Sequence, residues 1–280
     1  VNMAFLIGGA NSAADTGFNL SNSCRFDEAS DASLGGTFGT PTEAKAFTLS
    51  MWFKKSATDA TTSPFGCGAY EAITFQDGQM RIFYDNVSAG RIDWASLLRD
   101  TSAWYHFVIA QDTAQGTDTN RVKFYLNGTQ ITTTTTSNWP AQNLVGGFNE
   151  DGQAFYISTY DASGWAAGGY CAEVAFIDGL QYAASNFGER NDDGIWIPKE
   201  FKDDVTFGDN GFYLEFKQNG TGTDASGLGA DTSGNDNHLA VGGLAAIDQC
   251  TDTPTNNFCT LNHLAPVNGG APGTLPTFSE

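Results

Sequence analysis

The stretch from Thr101 to Ile131 constrains the fold more than any other part of the sequence. Aromatic and β-branched residues alternate with other residues in two short runs, YHFVIA and VKFYL, which the polar run DTAQGTDTN separates. A period of two is typical of strands with one buried face. Asn127-Gly128 follows the second run and is typical of a tight turn with positive φ. The stretch therefore predicts an antiparallel hairpin and a further strand at Gln130-Ile131. We expect this hairpin to be the centre of an antiparallel sandwich.

The remaining sequence has the same character. Alternating runs recur at 47–54, 80–84 and 170–177, and no window shows an apolar stripe with a period of 3.6. The 280 residues include 33 glycines and 13% aromatic residues, as in short strands joined by turns. The sequence therefore predicts an all-β fold.

The charge of the chain excludes some classes of partner. Lys and Arg number 13 against 32 Asp and Glu, which gives a net charge of −19. Such a chain repels phosphate backbones and anionic lipids, so we expect no nucleic-acid partner. No run is long enough to span a membrane, and Met3–Ile7 is too short and lacks the basic leader of a secretory signal. We therefore expect synthesis in a cytoplasm and no membrane insertion. The apolar start is interpreted as a first strand or packed terminus, or as an anchor into a neighbouring subunit.

The composition changes near residue 218. After Lys217 the sequence NGTGTDASGLGADTSGNDNH is almost without apolar residues, and the last stretch, VNGGAPGTLPTFSE, is rich in Pro and Gly, as linkers are. We predict one β domain over residues 1–218. Residues 219–280 are predicted to be an extended arm that packs on this domain or leads to a further one. Cys250 and Cys259 lie close enough in this arm to meet, but their spacing does not decide whether they pair.

Residues for catalysis are sparse. Glycosidases need two carboxylates that flank the scissile bond, whereas Glu173 stands alone in a predicted strand. His106 lies between aromatic residues in another strand, where a structural role is the common one. The sequence contains neither a G-x-S-x-G nor a G-x-x-x-x-G-K-[ST] motif. We therefore predict a protein that is not an enzyme.

A wider resemblance covers nearly the whole chain. WYHFV at 104–108 and KFYLNG at 123–128 resemble the central hairpin of laminin G-like, concanavalin A-like jelly rolls. Seven further segments, in order, resemble virion proteins of marine bacteriophages and are specific as a set: MAFLIGGANS, FTLSMWFKKS, AEVAFIDGLQY, FGERNDDGIWIPKEF, GFYLEFK, DTSGNDNH and TPTNNFCTLN. The resemblance implies a two-sheet antiparallel jelly-roll sandwich on a virus particle. It also implies other virion proteins as partners, a homo-oligomer, and localisation in the virion after synthesis in the host cytoplasm.

One polar loop is a candidate cation site. Asp231, Asn235 and Asn237 carry oxygen ligands around a glycine, and Asp224 is a possible further ligand. Calcium takes six to eight such oxygens, and similar D-x-S-G-N loops line calcium sites in laminin G-like proteins. A structural Ca²⁺ is the one cofactor that the sequence suggests. The alternative is a solvated loop held by its own side chains.

Binding of sugars is the function that the loops favour. Jelly rolls hold sugars with aromatic platforms and Asp or Asn hydrogen-bonding groups. Trp139 and Trp165 lie in loops rich in Gly, Ser and Asn, and Asp161 precedes the second tryptophan. These three residues are the candidate glycan-binding residues, with the alternative that each Trp folds back to cap the sandwich. Two functions follow: a tail, fibre or capsid protein that attaches to host-surface glycan, or a purely architectural decoration or adaptor protein.

Overall fold

The structure is a computed structural model that describes residues 18–56, 61–68, 71–85, 89–161 and 164–257. Within these ranges, the helical elements are three-residue 3-10 turns at Glu28–Ser30, Asp118–Asn120, Ala184–Asn186 and Ala246–Asp248. No helix there has the length and apolar character needed to cross a bilayer. The strands are β1 (Ser23–Phe26), β2 (Ser33–Thr37), β3 (Ala46–Lys55), β4 (Thr62–Cys67), β5 (Glu71–Gln76), β6 (Gln79–Tyr84), β7 (Gly90–Leu97), β8 (Tyr105–Asp112), β9 (Val122–Leu126), β10 (Thr129–Gln130), β11 (Thr134–Asn138), β12 (Ala154–Ile157), β13 (Gly169–Asp178), β14 (Gly188–Arg190), β15 (Trp196–Pro198), β16 (Phe212–Leu214), β17 (Ala240–Gly242) and β18 (Gln249–Cys250).

The strands form two large antiparallel sheets. Sheet A has the order β10-β9-β8-β3-β13-β1-β18, with β16 also paired to β13. Sheet B has the order β11-β7-β6-β5-β4-β12-β2-β17, and β14 and β15 form a separate small hairpin. The predicted all-β sandwich of jelly-roll type is confirmed.

The predicted hairpin is present, but it is not the centre of the sandwich. Strands β8 and β9 pair antiparallel, and Asn127 and Gly128 have φ values of 45° and 77°. Among the strands that the structure describes in sheet A, only β10 lies beyond β9, so the hairpin lies towards an edge. The ten-residue strands β3 and β13 occupy the middle of this sheet. Strand order depends on contacts between distant segments, which local alternation does not encode.

The core lies between the two sheets and is rich in phenylalanine. Alternate residues of β3, β8 and β9 face it, as the alternation predicts. Phe155 stacks on Phe38 at 4.3 Å and on Phe212 at 5.4 Å between ring centroids. Phe176 joins this stack from β13. Aromatic pairs at these separations add to the free energy that burial itself provides.

Different segments of the chain cover the outer faces of the two sheets. On sheet A, Val108, Ala175 and Ile177 pack against Phe187 and Phe201 of the segment that follows β13. On sheet B, the loop between β12 and β13 crosses the outer side of β4. The outer face of sheet A is thus part of the packed structure, whereas the crossing loop on sheet B carries exposed residues.

The described part of the predicted arm contacts both sheets. Strand β17 pairs with β2, and β18 pairs with β1, so each sheet gains an edge strand. The division of the chain at residue 218 stays a prediction. Cys259, the end of the arm and the predicted first strand at Met3–Ile7 lie outside the described residues.

Candidate functional site

Trp165 lies in the loop that crosses sheet B, and its backbone is in an unusual conformation. Its φ is 51°, a left-handed region that side chains other than glycine rarely adopt. The loop is fixed because Ser63 N donates to the Trp165 carbonyl at 2.7 Å and Tyr160 N donates to the Gly164 carbonyl at 2.7 Å. The Trp165 side chain is 46% exposed. The surrounding contacts therefore hold a large aromatic ring at the surface in a set orientation.

Three aromatic rings meet at this loop. Trp165 lies 4.8 Å from Tyr160 and 6.1 Å from Phe83 between ring centroids, and Phe83 lies 6.2 Å from Tyr160. We call Phe83, Tyr160 and Trp165 the aromatic cluster. The loop can lie so close to sheet B because Gly66 has no side chain: a Cβ there would be 2.1 Å from the Tyr160 carbonyl oxygen. The sequence thus provides both the rings and the space beneath them.

Charged groups lie beside the aromatic cluster. Arg91 is the cross-strand partner of Phe83, and Arg81 is the partner of Asp93. Asp93 accepts from Arg81 Nε at 2.7 Å and from Arg91 Nε at 3.0 Å. Burial opposes ionisation of Asp93, but the hydrogen bonds from the two arginines outweigh it and lower the pKa of this carboxyl. Arg91 keeps 33% of its side chain exposed, so a fixed cation borders the rings.

The structure brings together two of the three predicted glycan-binding residues. Asp161 is in the same loop as Trp165, and its Oδ1 accepts from Gly164 N at 3.0 Å. Trp139 lies elsewhere, after β11, where it is half-buried and packs against the main core. Sequence reasoning missed Phe83 and Arg91, because the approach of Trp165 to Phe83 depends on the path of the loop and the position of Arg91 beside Phe83 depends on cross-strand pairing. The glycine within the buried strand β4 was the one local signal of a close approach.

The predicted cation loop is held by internal hydrogen bonds. Asp231 Oδ1 accepts from Tyr213 N and Ser233 N, both at 2.8 Å, and Oδ2 accepts from Asn237 N at 2.9 Å. Asn235 donates through Nδ2 to the carbonyl groups of residues 208 and 211, and Asn237 to those of residues 209 and 211.

Asp224, the further ligand proposed from the sequence, accepts from Ser226 N at 2.7 Å within its own turn. Among the residues described, no three His, Cys, Asp or Glu side chains form a cluster for a metal. These contacts are those expected of the solvated-loop alternative, and calcium binding stays a prediction.

His106 is occupied on both ring nitrogens. Trp196 Nε1 lies 3.0 Å from Nδ1, and Ser50 Oγ lies 2.9 Å from Nε2. An indole N–H only donates, so Nδ1 is the acceptor and Nε2 carries the proton that is donated to Ser50. Burial lowers the pKa of His106 to about 3, so the ring is neutral. This tautomer has no lone pair facing the Ser50 hydroxyl and cannot take its proton.

Glu173, the lone carboxylate noted in the sequence, is also buried. It lies at the irregular register of β13, where its own φ is 48°. Its Oε1 accepts from the Tyr213 hydroxyl at 3.0 Å. Burial raises the pKa of Glu173 well above its ordinary value. The side chain therefore belongs to the packed structure and keeps its proton to higher pH than an exposed glutamate does.

The comparison with protein families identifies the domain. Residues 28–164 match the family model described as the concanavalin A-like lectin/glucanases superfamily. This range includes strands β2 to β12, together with Phe83 and Tyr160. Residues 28–164 form a laminin G-like, concanavalin A-like domain. Trp165, the third member of the aromatic cluster, directly follows the range matched to this laminin G-like domain.

The solved structures that match this chain belong to proteins of low sequence identity. A proposed carbohydrate-binding protein of Bacteroides ovatus is 15% identical, with a TM-score of 0.43 over 64% of this chain and 57% of that chain. A heptameric SAP-like pentraxin of Limulus polyphemus is 15% identical, with a TM-score of 0.43 over 59% of this chain and 80% of that chain. The sialidase of Trypanosoma rangeli is 16% identical, with a TM-score of 0.36 over 51% of this chain and 22% of that chain. No curated protein sequence matches this chain.

Proposed function

We propose that this protein is a bacteriophage virion component, on a tail, fibre or capsid, whose laminin G-like domain binds glycan on the host surface. The observation that carries the proposal is the exposed Trp165 ring, which a left-handed backbone holds beside Tyr160 and Phe83, the cross-strand partner of Arg91. The domain acts by binding, and the proposal invokes no reaction and no cofactor. Its partners on the particle are other virion proteins and further copies of this chain.

The chemistry of the aromatic cluster suits a sugar ring. One face of a pyranose presents C–H groups, which pack on an indole or phenol ring, while its hydroxyl groups need donors and acceptors at the edge of the platform. Trp165 and Tyr160 provide the platform. Arg91 provides charged donors and Asp161 a carboxylate acceptor next to it. Arg91 is partly exposed and Asp161 is exposed, so both side chains can contact a bound sugar.

The virion location rests on the resemblance of the ordered sequence segments to marine phage proteins. The surface chemistry agrees with it, since a chain of charge −19 is poorly suited to contact the packaged nucleic acid. A display position outside the particle would leave the aromatic cluster accessible to a host surface.

Binding of the full chain to a glycan array tests the proposal. We expect Trp165→Ala to lower binding at least about tenfold, because it removes the central ring of a stacked contact. Ile247→Ala is the matched control, since Ile247 is a 79% exposed apolar residue on the C-terminal arm. Its binding should equal that of the unmodified chain. Equal loss in both variants, or no binding to any glycan on the array, would contradict the proposal.

The architectural alternative predicts a different result. If the aromatic cluster contacts another virion subunit, Trp165→Ala changes the oligomeric state or the incorporation of the protein into particles, while no glycan is bound. Size-exclusion chromatography with light scattering, run on the same two variants, distinguishes the two functions.

A further inference from the structure

A buried lysine anchors the C-terminal arm to the outer side of sheet A. The Lys54 side chain, on β3, is 1% exposed. Its Nζ lies 6.0 Å from the centroid of the Tyr170 ring, and Trp104 packs edge-on against that same ring. A lysine removed from water in aromatic surroundings is a stronger nucleophile than an exposed one once it has lost its proton.

Two side chains of the arm meet this lysine. Lys54 Nζ donates to Asp252 Oδ2 at 2.8 Å and to Asn257 Oδ1 at 2.9 Å. Since a C=O bond is about 1.2 Å long, Nζ lies at most about 4 Å from the carboxamide carbon of Asn257. Asn257 Nδ2 donates to the Ser102 carbonyl at 3.2 Å, which fixes the orientation of the amide plane.

The sequence DTPTNN explains why Asp252 and Asn257 lie side by side. Thr253 and Asn256 exchange two backbone hydrogen bonds, at 3.3 and 3.0 Å, around Pro254. The chain therefore reverses direction, and the residues that flank the turn return to the same place. Asp252 is held further because its Oδ1 accepts from Trp104 Nε1 at 3.0 Å.

We propose that Lys54 and Asn257 form an intramolecular isopeptide bond without help from another protein. The amine nucleophile of Lys54 contacts both of the other groups that the reaction needs, the Asn257 carboxamide as electrophile and the Asp252 carboxylate as a group that can move protons. The proposal is independent of glycan binding, since these residues lie on sheet A and its arm.

The reaction balances with these groups alone. The Asp252 carboxylate takes a proton from the Lys54 ammonium, and the Nζ lone pair attacks Cγ of Asn257. The Nζ–Cγ bond forms while the carbonyl electron pair moves to Oδ1. A proton then passes from Nζ through Asp252 to Nδ2, and the carbonyl re-forms as the Cγ–Nδ2 bond breaks. Nδ2 leaves as ammonium with the proton that Asp252 first took, so Asp252 ends as a carboxylate. No oxidant or other reactant is required.

The bond would close a loop of considerable length. Residues 54 and 257 are 203 positions apart, so the link would enclose most of the sandwich and tie the arm to a central strand. Strand β3 and the C-terminal arm, joined in this way, would stay linked when the domain is denatured.

The intact mass of the denatured full chain tests the proposal. We expect a mass lower than that of the sequence by about 17 Da, the loss of ammonia from the amide. A tryptic digest should also contain residues 46–55 joined to residues 218–280, because trypsin does not cut after an acylated Lys54 and no Lys or Arg follows Lys217. Fragmentation of this joined peptide should place the link at Lys54 and Asn257.

Two variants of adjacent amides provide the control. Asn257→Ala should have the full mass of its sequence and give no joined peptide, whereas Asn256→Ala should keep the mass loss. Formation of a succinimide at an Asn-Gly pair elsewhere causes the same loss of mass. It would join no peptides, however, and its mass loss would still be present in Asn257→Ala. An unmodified mass in the folded chain overturns the proposal, as does a loss of about 18 Da, which would indicate a Lys54–Asp252 amide formed with loss of water.

Discussion

Glu71 should make the stability of this protein depend on pH near neutrality. Its carboxylate is buried at the start of β5, where it accepts from Phe148 N at 3.1 Å. Burial is the largest influence and raises the pKa of Glu71 from 4.5 to about 7, although hydrogen bonds from the backbone of Gly147 and Phe148 oppose the change. The folded chain therefore holds a proton on Glu71 at pH values where the unfolded chain has lost it.

The sign and size of the effect follow from linkage. A pKa that is raised on folding contributes stability that is fully present below pH 4.5 and is lost as the pH rises through about 7. A pKa change of one corresponds to about 1.4 kcal/mol, so the complete contribution is about 3 kcal/mol. Between pH 5 and pH 8 most of it disappears, which predicts a fall of about 2.5 kcal/mol in the free energy of unfolding.

Urea unfolding at pH 5 and pH 8 measures this fall. Glu71→Gln cannot ionise, so the difference between the two pH values should be smaller than in the unmodified chain by about 2.5 kcal/mol. Other groups, including buried Glu173, titrate equally in both proteins and cancel in the comparison. Glu189→Gln, on the exposed side of β14, should behave like the unmodified chain. The reasoning is refuted if Glu71→Gln keeps the full pH dependence.

Two further predictions concern buried polar groups. Asp178→Ala should lower the free energy of unfolding by about 3 kcal/mol or more, because Thr42 N, Asn149 Nδ2 and Asn210 N all donate to this buried carboxylate. Denaturant titration measures this free energy. A decrease of less than about 1 kcal/mol would contradict a stabilising role for these hydrogen bonds. If the loop around Asp231 binds a structural Ca²⁺, a chelator should lower the melting temperature, since a ligand that binds only the native state stabilises that state. An unchanged melting temperature would contradict calcium binding and support the solvated loop held by its own side chains.

Local sequence was sufficient to predict the strands, because a period of two depends only on neighbouring residues. The run 47–54 became β3 with the predicted face inside, and the turn at Asn127-Gly128 has the predicted backbone. The position of each strand in its sheet could not be predicted in this way. Strands β1 and β2 are consecutive in the chain yet belong to different sheets, which only their long-range partners determine.

The candidate site was predictable only in its exposed part. Loop composition identified Asp161 and Trp165, because an aromatic residue among Gly, Ser and Asp has little local apolar material to pack on. The same reasoning selected Trp139, whose flanking residues are equally polar, but this ring packs against the core. Whether a tryptophan side chain is exposed or packs against the core depends on its backbone conformation and on the surface opposite it. Neighbouring residues in the sequence predict neither of these.

The groups around His106 and the ring of Trp165 differ in their surroundings, and this difference argues for different roles. Around His106, every ring nitrogen has a partner inside the protein and Trp196 closes the site, as expected of groups that stabilise the fold. Trp165 has the opposite character: it is the most exposed of the six tryptophans, and its backbone is strained. Such a conformation costs about 1 kcal/mol or more, and much of the ring remains in water. Folding alone gives little reason to keep a tryptophan there, whereas a ligand that covers the ring does.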